Sequence, residues 1–255
     1  MPTILAFGNS HLWPFVRGYQ SLQKKGATLF DLQVLDFRAE RFQPNIHFDG
    51  RTATVHTLVR EAVQAALHPV APDYIVTTAL SAGHWVHGMV RHRESYDFLV
   101  PALPQFGVDP GTTLIPYDLV AARVYADLFW QFALVHMVQA SCARPIFHLE
   151  APPPVASEAL MLRGISSPFK EDMEEFGYAS VAHRFKQWWI WCQTARDICA
   201  AHHIAFLAGP PETRDAHGFL REDLYSDGLH GSDIYGEFMA RELIRAIAQN
   251  AGKVL

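Results

Sequence analysis

Apolar residues along the chain fall into short runs, each closed by small or polar residues and followed by a stretch with helical spacing. Thr3 to Phe7 is the first run. Gly8-Asn9-Ser10 closes it, and Leu12 to Lys25 then reads as a helix in which Pro14 is tolerable only near the first turn. Leu29 to Phe37 is a second strand candidate. Thr52 to Leu67 carries Val55, Val59, Ala62, Val63 and Ala66 at helical spacing, and Pro69 and Pro72 end that pattern. Asp73 to Leu80, rich in β-branched and aromatic residues, reads as a third strand that breaks at Ser81-Ala82-Gly83-His84.

Beyond it, residues 86–117 hold Pro101, Pro104, Pro110, Pro116 and three glycines, an irregular stretch expected to be an insertion or lid. Tyr117 to Cys142 reads as a helix, Pro145 to Glu150 as a strand running into Pro152-Pro153-Pro154, and Ala182 to His202 as a helix. Ile204 to Ala208 repeats the strand pattern before Gly209. The last helix, Ser232 to Gln249, has Ser232 as its expected N-cap and a stripe of Ile234, Phe238, Met239, Leu243 and Ile247. Five short strands alternating with helices predict one α/β domain over residues 1–255. Its architecture is three-layered α/β/α with a central, mostly parallel, flavodoxin-like sheet.

Composition narrows the function. The net charge of −5, with Lys and Arg scattered, leaves no footprint for nucleic acid or anionic lipid, and a neutral or modestly polar small molecule is the expected ligand. The apolar run at the N-terminus is too short for a signal peptide or a membrane span, so a cytoplasmic location is expected. Cys142, Cys192 and Cys199 have neither disulfide nor metal spacing, and His84, His87 and His92 lack the further ligand that would complete a metal site. In Phe185 to Cys192, the face formed by Phe185, Trp188, Trp189 and Cys192 is expected in the core, leaving Trp191 open.

In parallel α/β sheets, ligands bind beyond the carboxyl ends of the strands, where each polar break lies. Ser10 stands where the first strand turns into the first helix, a position suited to an N-cap and equally to a nucleophile beside a helix N-terminus. The nucleophilic reading needs a base held by an acceptor. Asp227 and His230, three apart in a loop before the last helix, supply such a dyad; the competing reading is a turn aspartate and an exposed loop histidine.

Taken together, Gly8-Asn9-Ser10-His11 and Asp227-Gly228-Leu229-His230 resemble the Gly-Asp-Ser and Asp-x-x-His blocks of the SGNH, or GDSL-type, hydrolase superfamily. Pro72 to Val76 resembles that family's third strand, and the prolines at 152–154 its segment after strand four. The resemblance implies an esterase with Ser10 as nucleophile, His230 as base and Asp227 as its orienting acid, and no cofactor or metal. It further implies an oxyanion hole built from the Ser10 N–H, a glycine, for which Gly50 is the candidate, and an asparagine side chain. Two positions depart from the pattern: Asn9 replaces the usual Asp, and Ser81-Ala82-Gly83-His84 stands where Gly-x-Asn-Asp is expected, leaving Gly83 and His84 as oxyanion or substrate-binding candidates. The expected substrate is a small ester such as an O-acetyl group on a sugar. The alternatives are an O-acyltransferase using the same triad, and a weakly active or inactive binding protein of the same fold.

Overall fold

A computed structural model of the chain describes residues 2–27, 30–49, 51–68, 70–91, 94–163, 169–227 and 229–251. Its centre is a sheet of β1 (Thr3–Gly8), β2 (Asp31–Asp36), β3 (Tyr74–Thr77), β4 (Ile146–Leu149) and β5 (Ala205–Leu207), in the order β2-β1-β3-β4-β5. Every pairing is parallel. This is the doubly wound order in which the chain reverses direction beside β1, opening a crevice at the carboxyl ends of β1 and β3.

The inner strands read as unbroken apolar runs because both sheet faces are covered. Side chains alternate between two cores. Leu5 and Phe7 of β1 and Ile75 of β3 pack with α2 (Thr57–Leu67), α4 (Tyr117–Ser141) and α7 (Val181–Ala201). Ile4 and Ala6 of β1 and Val76 of β3 pack on the other face with α1 (Leu12–Lys24) and α8 (Asp233–Ala251). Short helices α3 (His84–Gly88), α5 (Glu158–Arg163) and α6 (Phe169–Phe176) lie between these elements in the chain. Among the described residues, no helix is long and apolar enough to cross a membrane.

The two helices that follow the candidate nucleophile and the candidate base, α1 and α8, touch backbone to backbone. A Cβ on Gly236 would fall 1.7 Å from the Pro14 carbonyl oxygen, and one on Gly18 would fall 2.2 Å from the Glu237 nitrogen. Polar pairs flank the seam: Arg17 Nε reaches Asp233 Oδ1 at 2.5 Å, and Ser21 Oγ donates to Glu237 Oε1 at 2.7 Å.

Three readings of the sequence need correction. The helix expected from Thr52 starts at Thr57, because Ala53–Val55 pairs antiparallel with Ile46–Phe48; His56 Nδ1 then accepts the Leu58 N–H and caps the helix. The buried stripe of α8 is Tyr235, Met239, Leu243 and Ile247, with Ile234 exposed. Trp191 is among the most buried side chains, its indole donating to the Leu80 carbonyl at 2.7 Å, whereas Trp189 is half-buried.

Residues 94–116 are tied to α7 from inside. Asp97 is fully buried and accepts from Lys186 Nζ at 2.7 Å and from the Asp109 N–H at 2.8 Å, while His183 Nδ1 lies 2.9 Å from its other oxygen. Burial alone would raise the Asp97 pKa, but its hydrogen bonds to His183, Lys186 and backbone N–H groups hold it well below the usual carboxylate range. Lys186 completes its donors on the carbonyls of Phe98 and Gly107, so this buried cation is both paired and fully hydrogen-bonded.

Candidate active site

β1 ends at Gly8 with φ +155°. A Cβ there would meet Thr78 Oγ1 at 2.2 Å, so only glycine lets the chain leave the strand this close to the end of β3. Asn9 locks the junction: its Nδ2 donates to the carbonyls of Thr78 at 2.8 Å and Ala79 at 3.4 Å. Its Oδ1 accepts the His11 N–H at 3.1 Å. An ionised aspartate has no proton to give those two carbonyls, which is a physical reason for an amide at this position.

Helix α1 starts with His11 as the flanking residue and without a side-chain cap. The Ser10 hydroxyl, half-buried at the head of α1, therefore caps nothing. It makes no hydrogen bond among the described residues, and neither does its backbone N–H.

Asp227 and His230 sit opposite each other in the antiparallel pairing of Tyr225–Asp227 with His230–Gly231, immediately before α8. Asp227 Oδ1 lies 2.6 Å from His230 Nδ1 and accepts the His230 N–H at 3.1 Å. The carboxylate thus fixes both the ring and its backbone, and places the acceptor lone pair of a neutral imidazole on Nε2. That Nε2 is buried and has no partner among the described residues, whereas a loop histidine in water would present it to solvent. α8 then begins behind Ser232, whose Oγ accepts the Tyr235 N–H at 3.4 Å.

Two further histidines adjoin the dyad. His11 lies with its ring centroid 4.9 Å from that of His230 and 5.9 Å from that of His84, and both His11 and His84 are buried. Burial, followed by the field of His230, presses the His11 pKa well below its ordinary value. Burial likewise brings His84 down to about 3, against a hydrogen bond with the Ser81 backbone. Both rings are neutral near pH 7, so neither opposes a proton arriving on His230. His84 Nδ1 is buried and has no hydrogen-bond partner among the described residues.

His84 lines a cleft with Pro152, Met161, Arg184, Tyr225 and Leu229. The cleft has a volume of about 440 Å³, part of it open to solvent. Gly83 is buried, with the Trp191 ring against its α-carbon. Gly50 and Gly228 lie outside the described residues. The structure thus brings Ser10 to the head of α1, next to the His11 ring that touches His230, although no hydrogen bond joins Ser10 to His230 in this state. Among the described residues, no group of three or more His, Cys, Asp or Glu is arranged to hold a metal ion. Sequence reasoning quoted His11 only as a flank of the serine and passed over Arg184; the signal for His11 was its adjacency to Ser10, and for Arg184 there was none.

The five parallel strands in the order β2-β1-β3-β4-β5, covered by helices on both faces, form a three-layer α/β/α architecture. No protein-family model matches the chain, and no curated protein sequence does so either. Among solved structures it is similar to the periplasmic domain of a lipopolysaccharide acetyltransferase from Salmonella ser. Paratyphi A, with TM-score 0.52 and 12% identity, over 96% of this chain and 83% of that one. It is also similar to the aryl esterase of M. smegmatis, with TM-score 0.49 and 12% identity over 98% and 99% of the two chains. A carbohydrate acetylesterase family member from Sinorhizobium meliloti gives TM-score 0.47 and 15% identity over 99% and 100%. At these identities the likeness is one of fold, carried by the first of the three.

Proposed function

We propose that this chain cleaves a small carboxylic ester through an acyl-enzyme. The observation that carries the reading is the Asp227–His230 pair, whose buried Nε2, beside the head of α1, has no partner among the described residues. Ser10 Oγ attacks the ester carbonyl and passes its proton to His230 Nε2. The carbon–oxygen bond to the alcohol then breaks, and the alcohol leaves with that proton. Water repeats the sequence on the acyl-serine, releasing the acid and restoring Ser10. Asp227 holds the ring and stabilises the imidazolium. The Ser10 N–H, which has no partner among the described residues, and the head of α1 favour the oxyanion, with His84 as a further candidate donor.

The test is labelling with a neutral fluorophosphonate together with turnover of p-nitrophenyl acetate, comparing the wild type with Ser10→Ala. The wild type takes up the label on Ser10 and releases nitrophenol; the variant does neither. An unlabelled wild type whose turnover equals that of Ser10→Ala overturns the assignment. Supplying acceptor alcohols and identifying the acylated product separates hydrolysis from acyl transfer, since both use the same acyl-enzyme.

A further inference from the structure

Arg184 lies in the first turns of α7 and is only 4% exposed. Of the five N–H groups of its guanidinium, one on Nη1 reaches the Ala179 carbonyl at 3.1 Å and one on Nη2 reaches that of Val155 at 3.4 Å. Nε is buried without a partner among the described residues. Other cations in the interior have counter-ions: Lys186 has Asp97, and Arg214 has Glu150 at 2.6 Å. Arg184 makes no ion pair among the described residues. Glu158, at the start of α5, exerts the largest favourable field on it, yet burial still presses its pKa below the ordinary value. A guanidinium removed from water and left without a carboxylate is costly, and that cost is offset when a ligand brings the missing charge.

We propose that Arg184 is the counter-ion for a carboxylate carried by the substrate, so that the ester cleaved here has a free acid group at the end remote from its scissile bond. The proposal rests on the esterase reading and adds the substrate class. Arg184 lines the same cleft as His84 and as Leu229, the chain neighbour of His230, so the cleft adjoins the dyad. Pro152, Met161 and Leu229 give its walls an apolar surface suited to a short methylene chain. The planar guanidinium fork matches a carboxylate edge.

A matched pair of substrates tests this: mono-4-nitrophenyl adipate, which bears the acid, and its neutral methyl ester. The wild type prefers the acid in kcat/KM by roughly 10- to 100-fold, the range of a charged hydrogen bond. In Arg184→Gln the preference is lost and the two substrates become equivalent in kcat/KM. A wild-type ratio near one, or an unchanged ratio in the variant, overturns the proposal. Should Arg184→Gln fail to fold, the wild type alone decides: adipate slows fluorophosphonate labelling of Ser10 where dimethyl adipate at equal concentration does not, and equal effects refute the carboxylate site. If Ser10 is never labelled, the esterase reading fails separately, and a thermal shift of the wild type by adipate but not by dimethyl adipate still reports on Arg184, its absence refuting the site.

Discussion

Gly236→Ala separates two opposed effects. In an exposed helix, replacing glycine by alanine stabilises by about 0.8–1 kcal/mol, because the unfolded chain loses freedom. At position 236 the added carbon falls 1.7 Å from the Pro14 carbonyl oxygen and 2.4 Å from its carbon, whereas ordinary contact begins at 3.4 Å. The obstacle is backbone, so relief requires α8 and α1 to part by more than an ångström. Overpacking of this kind costs about 1–3 kcal/mol and occasionally more, so the net sign is destabilising by roughly 1–2 kcal/mol or more. For a chain of this length, that lowers Tm by about 2–8 °C. The same displacement separates Ser10 from His230, and a 1 Å error in a catalytic geometry costs on the order of 100-fold in rate. Thermal melts and the rate of fluorophosphonate labelling read both effects. Gly107→Ala, where nothing lies within 4 Å of the added carbon, is the control and leaves both readings near wild type. If Gly236→Ala melts at or above the wild-type temperature, the helices are not held at backbone contact and the reasoning fails.

Two other substitutions probe chemistry and pH. Asp227→Asn removes the acceptor that fixes His230; turnover of p-nitrophenyl acetate falls on the order of 10³- to 10⁴-fold with Tm nearly unchanged, and a loss below tenfold would detach Asp227 from the mechanism. His148, in β4, is buried with both ring nitrogens unpartnered, and burial pushes its pKa down to about 3. The unfolded chain binds a proton there below its ordinary value of 6.5 and the folded chain does not, so stability is lost as pH falls from 6.5 toward 3. His148→Leu removes this proton uptake: relative to wild type it gains about 2 kcal/mol between pH 7 and pH 5 in urea unfolding, and a constant difference across that range would refute the assignment.

Much of the fold was legible because each strand of the sheet is a short apolar run ended by a polar break. The Asp227–His230 pair was legible for a related reason: its partners are three residues apart, and local spacing alone brings them together. Where the outcome depended on distant chain, sequence was a poor guide. Thr52 to Val55 shares the helical spacing of residues 57–67, yet Ile46–Phe48 captures part of it as a strand. Helical spacing left Trp191 open, and it is the Leu80 carbonyl, 111 residues away, that takes its indole proton in the core. Arg184 is defined by what it lacks, and no local pattern announces a missing counter-ion.

The seam between α1 and α8 also orders events in time. Ser10 leaves the ribosome early, and the dyad follows more than two hundred residues later, roughly 10–40 s afterwards at ordinary rates of synthesis. Until α8 docks on α1, the nascent chain has a serine without a base, chemically no different from any other surface hydroxyl. If Ser10 and His230 act as proposed, activity therefore arises only once α8 has docked on α1.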